Sequence, residues 1–211
     1  MKMYYHPLST YSQKAIIACH EKGAVFESNI VDLFNSESAA EYKKIYPLGK
    51  IPVLFATDDH MIPESSIIVE YVDQKFDHGP RLIPQDPELG RQTRFIDRVT
   101  DFYFNNNVAS VMFESWKPEA ERDKQMVEKA QAQIAAMYGY MEQGLEGKIW
   151  MMGDDFTLAD CASAPPLFYA QQVAPFANKP NISAYFQRLM DRSSFQKVLA
   201  QAKPYLDRLQ S

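Results

Sequence analysis

Strand-like patterns in this chain are confined to its first 80 residues. Pro80, Pro84 and Pro87 then fall within eight residues among polar neighbours, and beyond them only helical spacing recurs. A chain written this way cannot close one continuous sheet; it calls for a small α/β unit followed by an all-helical one. Within the first part, Lys2 to Tyr5 reads as a short strand. A helix follows, with Thr10 and Gln13 at capping-box spacing, an apolar stripe of Ala15, Ile16 and Cys19, and Gly23 as its stop. Residues 26–31 form a second strand, and 36–46 a weak polar helix or loop. Val53-Leu54-Phe55 is a third strand, turned at Asp58-Asp59-His60 into a short hairpin partner at Met61 and Ile62. A helix over 65–76 carries Ile68, Tyr71, Val72 and Phe76 on one face. The order is βαβ, a connection, then ββα, which makes a small mixed sheet. The boundaries expected are 1–79 for this unit, 80–87 for a linker and 88–211 for the helical unit. In the latter, helices are expected over 88–115, 119–145, 157–173, 181–191 and 194–202. Thr157 and Asp160 are placed to form a capping box, and Pro165-Pro166 to kink the helix that follows.

Composition narrows the function classes. Of 211 residues, 46% are hydrophobic and 23% charged, enough to build a packed core. A net charge of −5 without a basic run argues against a nucleic-acid partner. No window approaches the 18 apolar residues of a membrane span, and the N-terminus lacks a secretory apolar stretch, so a cytoplasmic location without membrane association is expected. Cys19 and Cys161 form neither a CxxC pair nor a zinc spacing, and no metal is expected. Cys19, mid-helix on an apolar stripe, reads as a core residue.

Three local patterns, in order, carry a family resemblance. Tyr46-Pro47-Leu48-Gly49-Lys50-Ile51-Pro52-Val53-Leu54 is similar to the segment of glutathione transferases in which a cis-proline opens a strand. Pro63-Glu64-Ser65-Ser66-Ile67 resembles the Glu-Ser pair that begins the last helix of their first domain. Phe156-Thr157-Leu158-Ala159-Asp160 resembles their buried capping box. The stretch His6 to Lys14 is similar to the first-helix entry of the serine-type phi and zeta classes, where the active serine lies five residues before a basic one; here that is Ser9 relative to Lys14. The chain departs from phi at Glu37 and Ser38, where that class carries basic residues, and it lacks the Ser-Ser-Cys signature of zeta. The resemblance implies a thioredoxin-like α/β domain ahead of an all-α domain, a cytoplasmic homodimer, and glutathione as co-substrate in detoxifying conjugation of small electrophiles. It leaves open a glutathione-dependent isomerase or dehalogenase, and a binding module without turnover.

The resemblance also implies residue roles. Ile51, ahead of Pro52, would pair its backbone with the cysteinyl residue of glutathione. Ser65, at a helix N-terminus, would hold the γ-glutamyl carboxylate, because backbone N–H groups and the helix dipole favour an anion there. Glu64 would take the α-ammonium, and Lys50 a carboxylate. The chemistry needs a thiolate, and a free cysteine thiol titrates near pH 8.5. A hydroxyl donated to sulfur beside the first helix's N-terminus would stabilise that thiolate. Ser9 is the first candidate, with Ser12, Tyr11 and Tyr5 as rivals; Ser9, Thr10 and Ser12 are equally readable as caps. An apolar substrate is expected between the two parts, lined by Leu8 and Tyr11 and by members of Phe102, Tyr103, Asn106, Phe113 and Trp116.

Overall fold

The computed structural model describes residues 1–209. It divides into two compact units. One is Met1–Gly79 together with the chain from Ser193 onward; the other is Pro80–Arg192.

In the first unit, four strands, β1 (Lys2–Tyr5), β2 (Glu27–Ile30), β3 (Val53–Thr57) and β4 (His60–Pro63), form one sheet in the order β2-β1-β3-β4. β1 runs parallel to β2 and antiparallel to β3, and β3 pairs antiparallel with β4. Alternation along β1 sorts its side chains: Met3 and Tyr5 are buried, while Tyr4 packs with Tyr42 and Phe55. Helix α1 (Thr10–Glu21) crosses between β1 and β2, α2 (Ser36–Ile45) between β2 and β3, and α3 (Ser65–Lys75) follows β4. A buried ion pair, Lys22 Nζ to Asp73 Oδ1 at 3.1 Å, ties α1 to α3. Gly79 must be glycine: at φ +70° an added Cβ would lie 2.0 Å from the Glu21 carbonyl oxygen.

The C-terminal helix α9 (Ser193–Leu209) departs from expectation twice. It groups with the first unit rather than with the helices before it, and it continues past residue 202 through Pro204. Phe195, Val198 and Ala202 are buried along it, Ser194 Oγ donates to the Glu21 carboxylate, and Tyr205 meets the His6 ring edge-on. Burial of that stripe outweighs the backbone bond that Pro204 removes.

The second unit contains α4 (Pro87–Val99), α5 (Asn106–Ser115), α6 (Lys124–Gly144), α7 (Leu158–Val173) and α8 (Pro180–Asp191). Helix α7 is its centre, with every side chain from Leu158 to Leu167 buried. It runs as one helix across Pro165 and Pro166, within the bounds expected for it to a residue. Burial on all sides compensates the two backbone donors those prolines lack. The capping box forms, and Asp160 becomes a hub. Its carboxylate accepts from the Thr157 and Met151 backbone N–H groups at 2.8 and 2.9 Å and from the Tyr185 hydroxyl at 2.8 Å. Glu142 of α6 caps α8 by accepting from the Asn181 and Ile182 N–H groups, both at 3.0 Å.

The long helix expected over 88–115 runs unbroken from Pro87 to Ser115 but changes its winding midway. Between α4 and α5, Thr100–Asn105 is wound as a π-helix. Such widened turns recur at functional sites. This one turns Phe104 inward and Phe102 and Tyr103 outward. It buries Thr100 Oγ1 and Asn105 Oδ1 without a hydrogen-bond partner.

Candidate active site

The turn from β1 into α1 is built by short-range polar contacts. Ser9 N–H donates to the His6 carbonyl at 3.0 Å, and Leu8 N–H to His6 Nδ1 at 3.2 Å. Gln13 Nε2 donates to the Pro7 carbonyl at 2.7 Å. The N-cap is Ser9, whose oxygen accepts from the Ser12 N–H at 3.3 Å. This corrects the Thr10–Gln13 capping box: Gln13 is drawn to Pro7, and the cap falls one residue earlier. An accepting oxygen leaves the Ser9 hydroxyl proton uncommitted by that bond. Ser9 is half-buried, at the positive end of α1.

The rival hydroxyls sit differently. Ser12 is fully buried and its oxygen accepts from the His6 N–H at 3.4 Å. Tyr5 is 3% exposed, donates to Ser28 Oγ at 3.3 Å and meets Phe26 edge-on. Tyr11 is half-buried, with the Lys14 ammonium 5.7 Å from its ring centre. Leu8, also half-buried, directly precedes Ser9. Cys19 is fully buried, and burial pushes its thiol up to about 12, the behaviour of an inert core cysteine.

The second component is the chain before β3. The Ile51–Pro52 peptide is cis. Gly49 turns at φ +60° and donates to the Tyr46 carbonyl at 2.8 Å. The Lys50 carbonyl accepts from the Tyr42 hydroxyl at 2.7 Å. No motif pointed to Tyr42, which arrives from α2 through the apolar cluster of Val31, Tyr46 and Val53.

The third component opens α3. Glu64 occupies the N-cap with φ 71° and ψ 124°, a left-handed conformation unusual for a residue with a side chain. Its side chain makes no capping bond. Conformations of this kind cost about 1–3 kcal/mol and gather at functional sites. Ser65 is therefore the first helical residue rather than the cap; it is 5% exposed. Ser66 Oγ accepts from the buried Lys14 Nζ at 3.1 Å, joining the first turns of α1 and α3. Pairing of Pro63 with Val53 sets the α3 entry beside the chain before β3, and burial, then the Glu64 carboxylate, raise the pKa of Tyr46.

An open concavity of about 540 Å³ in this unit is lined by Tyr4, Ile30, Tyr42 and Ile45 among others, and takes in none of these three components. The site follows from where donors and strained backbone collect, not from the size of a hollow. In the second unit, Phe102, Tyr103, Phe113 and Trp116 are each about half exposed, and Asn106 is exposed. Phe113 and Trp116 meet edge-on at 5.2 Å, while Phe102 lies 5.0 Å from the Arg98 guanidinium. Among the described residues there is no cluster of His, Cys, Asp and Glu that could hold a metal.

Comparison with known proteins gives the context. Residues 3–81 match the family model of the glutathione S-transferase N-terminal domain, and residues 104–193 that of the C-terminal domain. A glutathione S-transferase F6 from Arabidopsis thaliana is 30% identical over 94% of this chain and 99% of its own length. A stringent starvation protein A homolog from Coxiella burnetii is 27% identical over 98% of this chain and 94% of its own. Among solved structures, a glutathione S-transferase from Methylobacillus flagellatus with GSH bound superposes with a TM-score of 0.83. It is 29% identical and covers 93% of this chain and 98% of that one.

Proposed function

The chain belongs to the glutathione S-transferase family, and from that premise we propose that it binds glutathione on its first unit, ionises the thiol there and adds the sulfur to small electrophiles. The observation that carries this reading is the collection, in one unit, of three features suited to an acidic thiol peptide. They are an uncommitted hydroxyl at the α1 N-terminus, a cis Ile51–Pro52 peptide ahead of β3, and a strained Glu64 ahead of the buried Ser65.

Ser65 and the α3 N-terminus take the γ-glutamyl carboxylate, and Glu64 the α-ammonium. The Ile51 backbone pairs with the cysteinyl residue, and the Lys50 ammonium meets a carboxylate. Ser9 donates to sulfur. One charge-assisted bond is worth roughly 1.5–3 kcal/mol, enough to lower the thiol pKa by about one to two units. The thiolate attacks the electrophile, a carbon–sulfur bond forms, and the displaced group leaves with the bonding pair. The half-exposed aromatics of the second unit suit an apolar electrophile, and Leu8 and Tyr11 flank Ser9 on the first. A cytoplasmic detoxifying role and a homodimer complete the proposal; among the described residues no helix is long and apolar enough to cross a membrane.

A second reading, a binding module without turnover, draws on the stringent starvation protein A homolog's 27% identity over 98% of this chain. A third keeps the thiolate but uses it in isomerisation or dehalogenation. Retention on immobilised glutathione, followed by a turnover screen across aryl halides, epoxides, peroxides and cis-double-bond acids, separates them. Retention with aryl halide or epoxide turnover supports conjugation. Retention with none supports the binding module, and no retention removes glutathione from the account.

A further inference from the structure

The proposed cysteinyl-binding segment is held from behind by α2. Its C-terminal turn touches the chain before β3 three times. Tyr42 Oη donates to the Lys50 carbonyl at 2.7 Å, the Tyr46 carbonyl accepts from the Gly49 N–H at 2.8 Å, and the Lys43 stem lies so close to Gly49 that an added Cβ would sit 3.0 Å from Lys43 Cε. Tyr42 is 3% exposed, and its ring is fixed among Val31, Tyr46 and Val53, with Tyr4, Ile51 and Phe55 packed alongside. Burial, and then the neighbouring Tyr46 and Tyr4, raise its pKa, so the phenol stays a donor across the working pH range.

The Lys50–Ile51 peptide is planar and trans, so its C=O and N–H point in opposite directions. A hydroxyl that fixes the Lys50 oxygen toward α2 therefore fixes the Ile51 N–H away from α2. We propose that Tyr42 is a positioning residue for glutathione: through the Lys50 carbonyl it sets the direction of the Ile51 N–H that meets the cysteinyl residue. This rests on the glutathione-binding reading above. Ser9 acts on sulfur from another helix, so Tyr42 governs how tightly glutathione is held and not how readily its thiol ionises.

Tyr42→Phe deletes one oxygen and keeps the ring in its cluster. Tyr138→Phe is the matched control. Tyr138 is also a buried phenol donating to a backbone carbonyl, that of Ala174 at 2.6 Å, but in the second unit. Glutathione Kd by calorimetry, kcat and KM with an activated aryl chloride, and Tm are measured for the parent and both variants. Tyr42→Phe is expected to raise Kd and KM about threefold to tenfold, the span of one lost hydrogen bond, with kcat within about twofold. Tyr138→Phe is expected to lower Tm to a similar extent and leave Kd unchanged. A parent that binds glutathione while Tyr42→Phe binds it equally well overturns the inference alone. Equal weakening in both variants also overturns it, by reducing the effect to lost stability. A parent that does not bind glutathione overturns the functional reading and the inference together.

Discussion

Ser65 differs from Ser9 and Ser12 at the α1 entry in what its neighbours leave it to do. Ser9 accepts from the Ser12 N–H, and Ser12 accepts from the His6 N–H; Ser65 is the first residue of α3, behind a cap that makes no side-chain bond. Ser65→Ala is thus expected to weaken glutathione binding by about 1–3 kcal/mol, the cost of an anion left without a donor. Because Ser65 is not the cap, Tm should fall by only a degree or two; calorimetry and a thermal melt check the pair of effects. His6 supplies a pH signature. Burial lowers its pKa, and its Nδ1 already accepts from the Leu8 N–H, so the folded state disfavours the imidazolium. Burial lowers the pKa of His20 as well. A base whose folded pKa lies below its unfolded value of about 6.5 contributes stability that is present above that pH and lost as pH falls below it. Denaturant melts between pH 7.5 and 5 should show that loss, and His6→Gln should flatten part of it. At this scale the cis Ile51–Pro52 peptide was legible because it belongs to a short local pattern. Tyr42 was not, since its bond to Lys50 depends on how α2 lies on the sheet.

The elements themselves were legible where a cap or a period is local, and less so where packing decides. Strands β1 to β4 and helices α1, α3, α7 and α8 could all be read within a few residues of their observed bounds. Two departures share one cause. Helix α9 runs on through Pro204, and Thr100–Asn105 is π-wound inside what reads as a regular helical pattern. In each, burial of a surrounding stripe overrides the local backbone rule. The α7 capping box shows the reverse case, a local signal reinforced by tertiary contacts. Burial raises the pKa of Asp160, and its hydrogen bonds to Met151, Thr157 and Tyr185 oppose that rise. Asp160→Ala leaves those buried donors without their acceptor. It is expected to cost about 3–5 kcal/mol, well beyond the ~1 kcal/mol of an isolated cap. A urea melt checks this, and a loss under 1 kcal/mol would reduce Asp160 to an ordinary cap.

At the scale of the whole molecule, the helical part was read as running to the C-terminus, whereas α9 groups with the sheet-bearing unit. The reason lies in buried contacts that no local pattern announces, Phe195 and Val198 in the core and Ser194 on Glu21. Deleting the chain from Ser193 onward should therefore destabilise the unit that carries the proposed glutathione site, seen as lost retention on immobilised glutathione. The homodimer proposal is checked by light scattering: twice 24.2 kDa is 48.4 kDa, and a mass near 24 kDa at micromolar concentration would contradict it. The central claim, that this molecule ionises glutathione with Ser9, is tested most directly by the thiolate absorbance of the bound complex against pH. It is recorded for the parent, Ser9→Ala, Ser12→Ala and Tyr5→Phe. The parent is predicted to titrate one to two units below the free-thiol value of about 8.5. Ser9→Ala is predicted to return it toward that value, and the other two to leave it within about half a unit. A parent that titrates like free glutathione, or a shift abolished by Ser12→Ala or Tyr5→Phe but not by Ser9→Ala, would contradict the account.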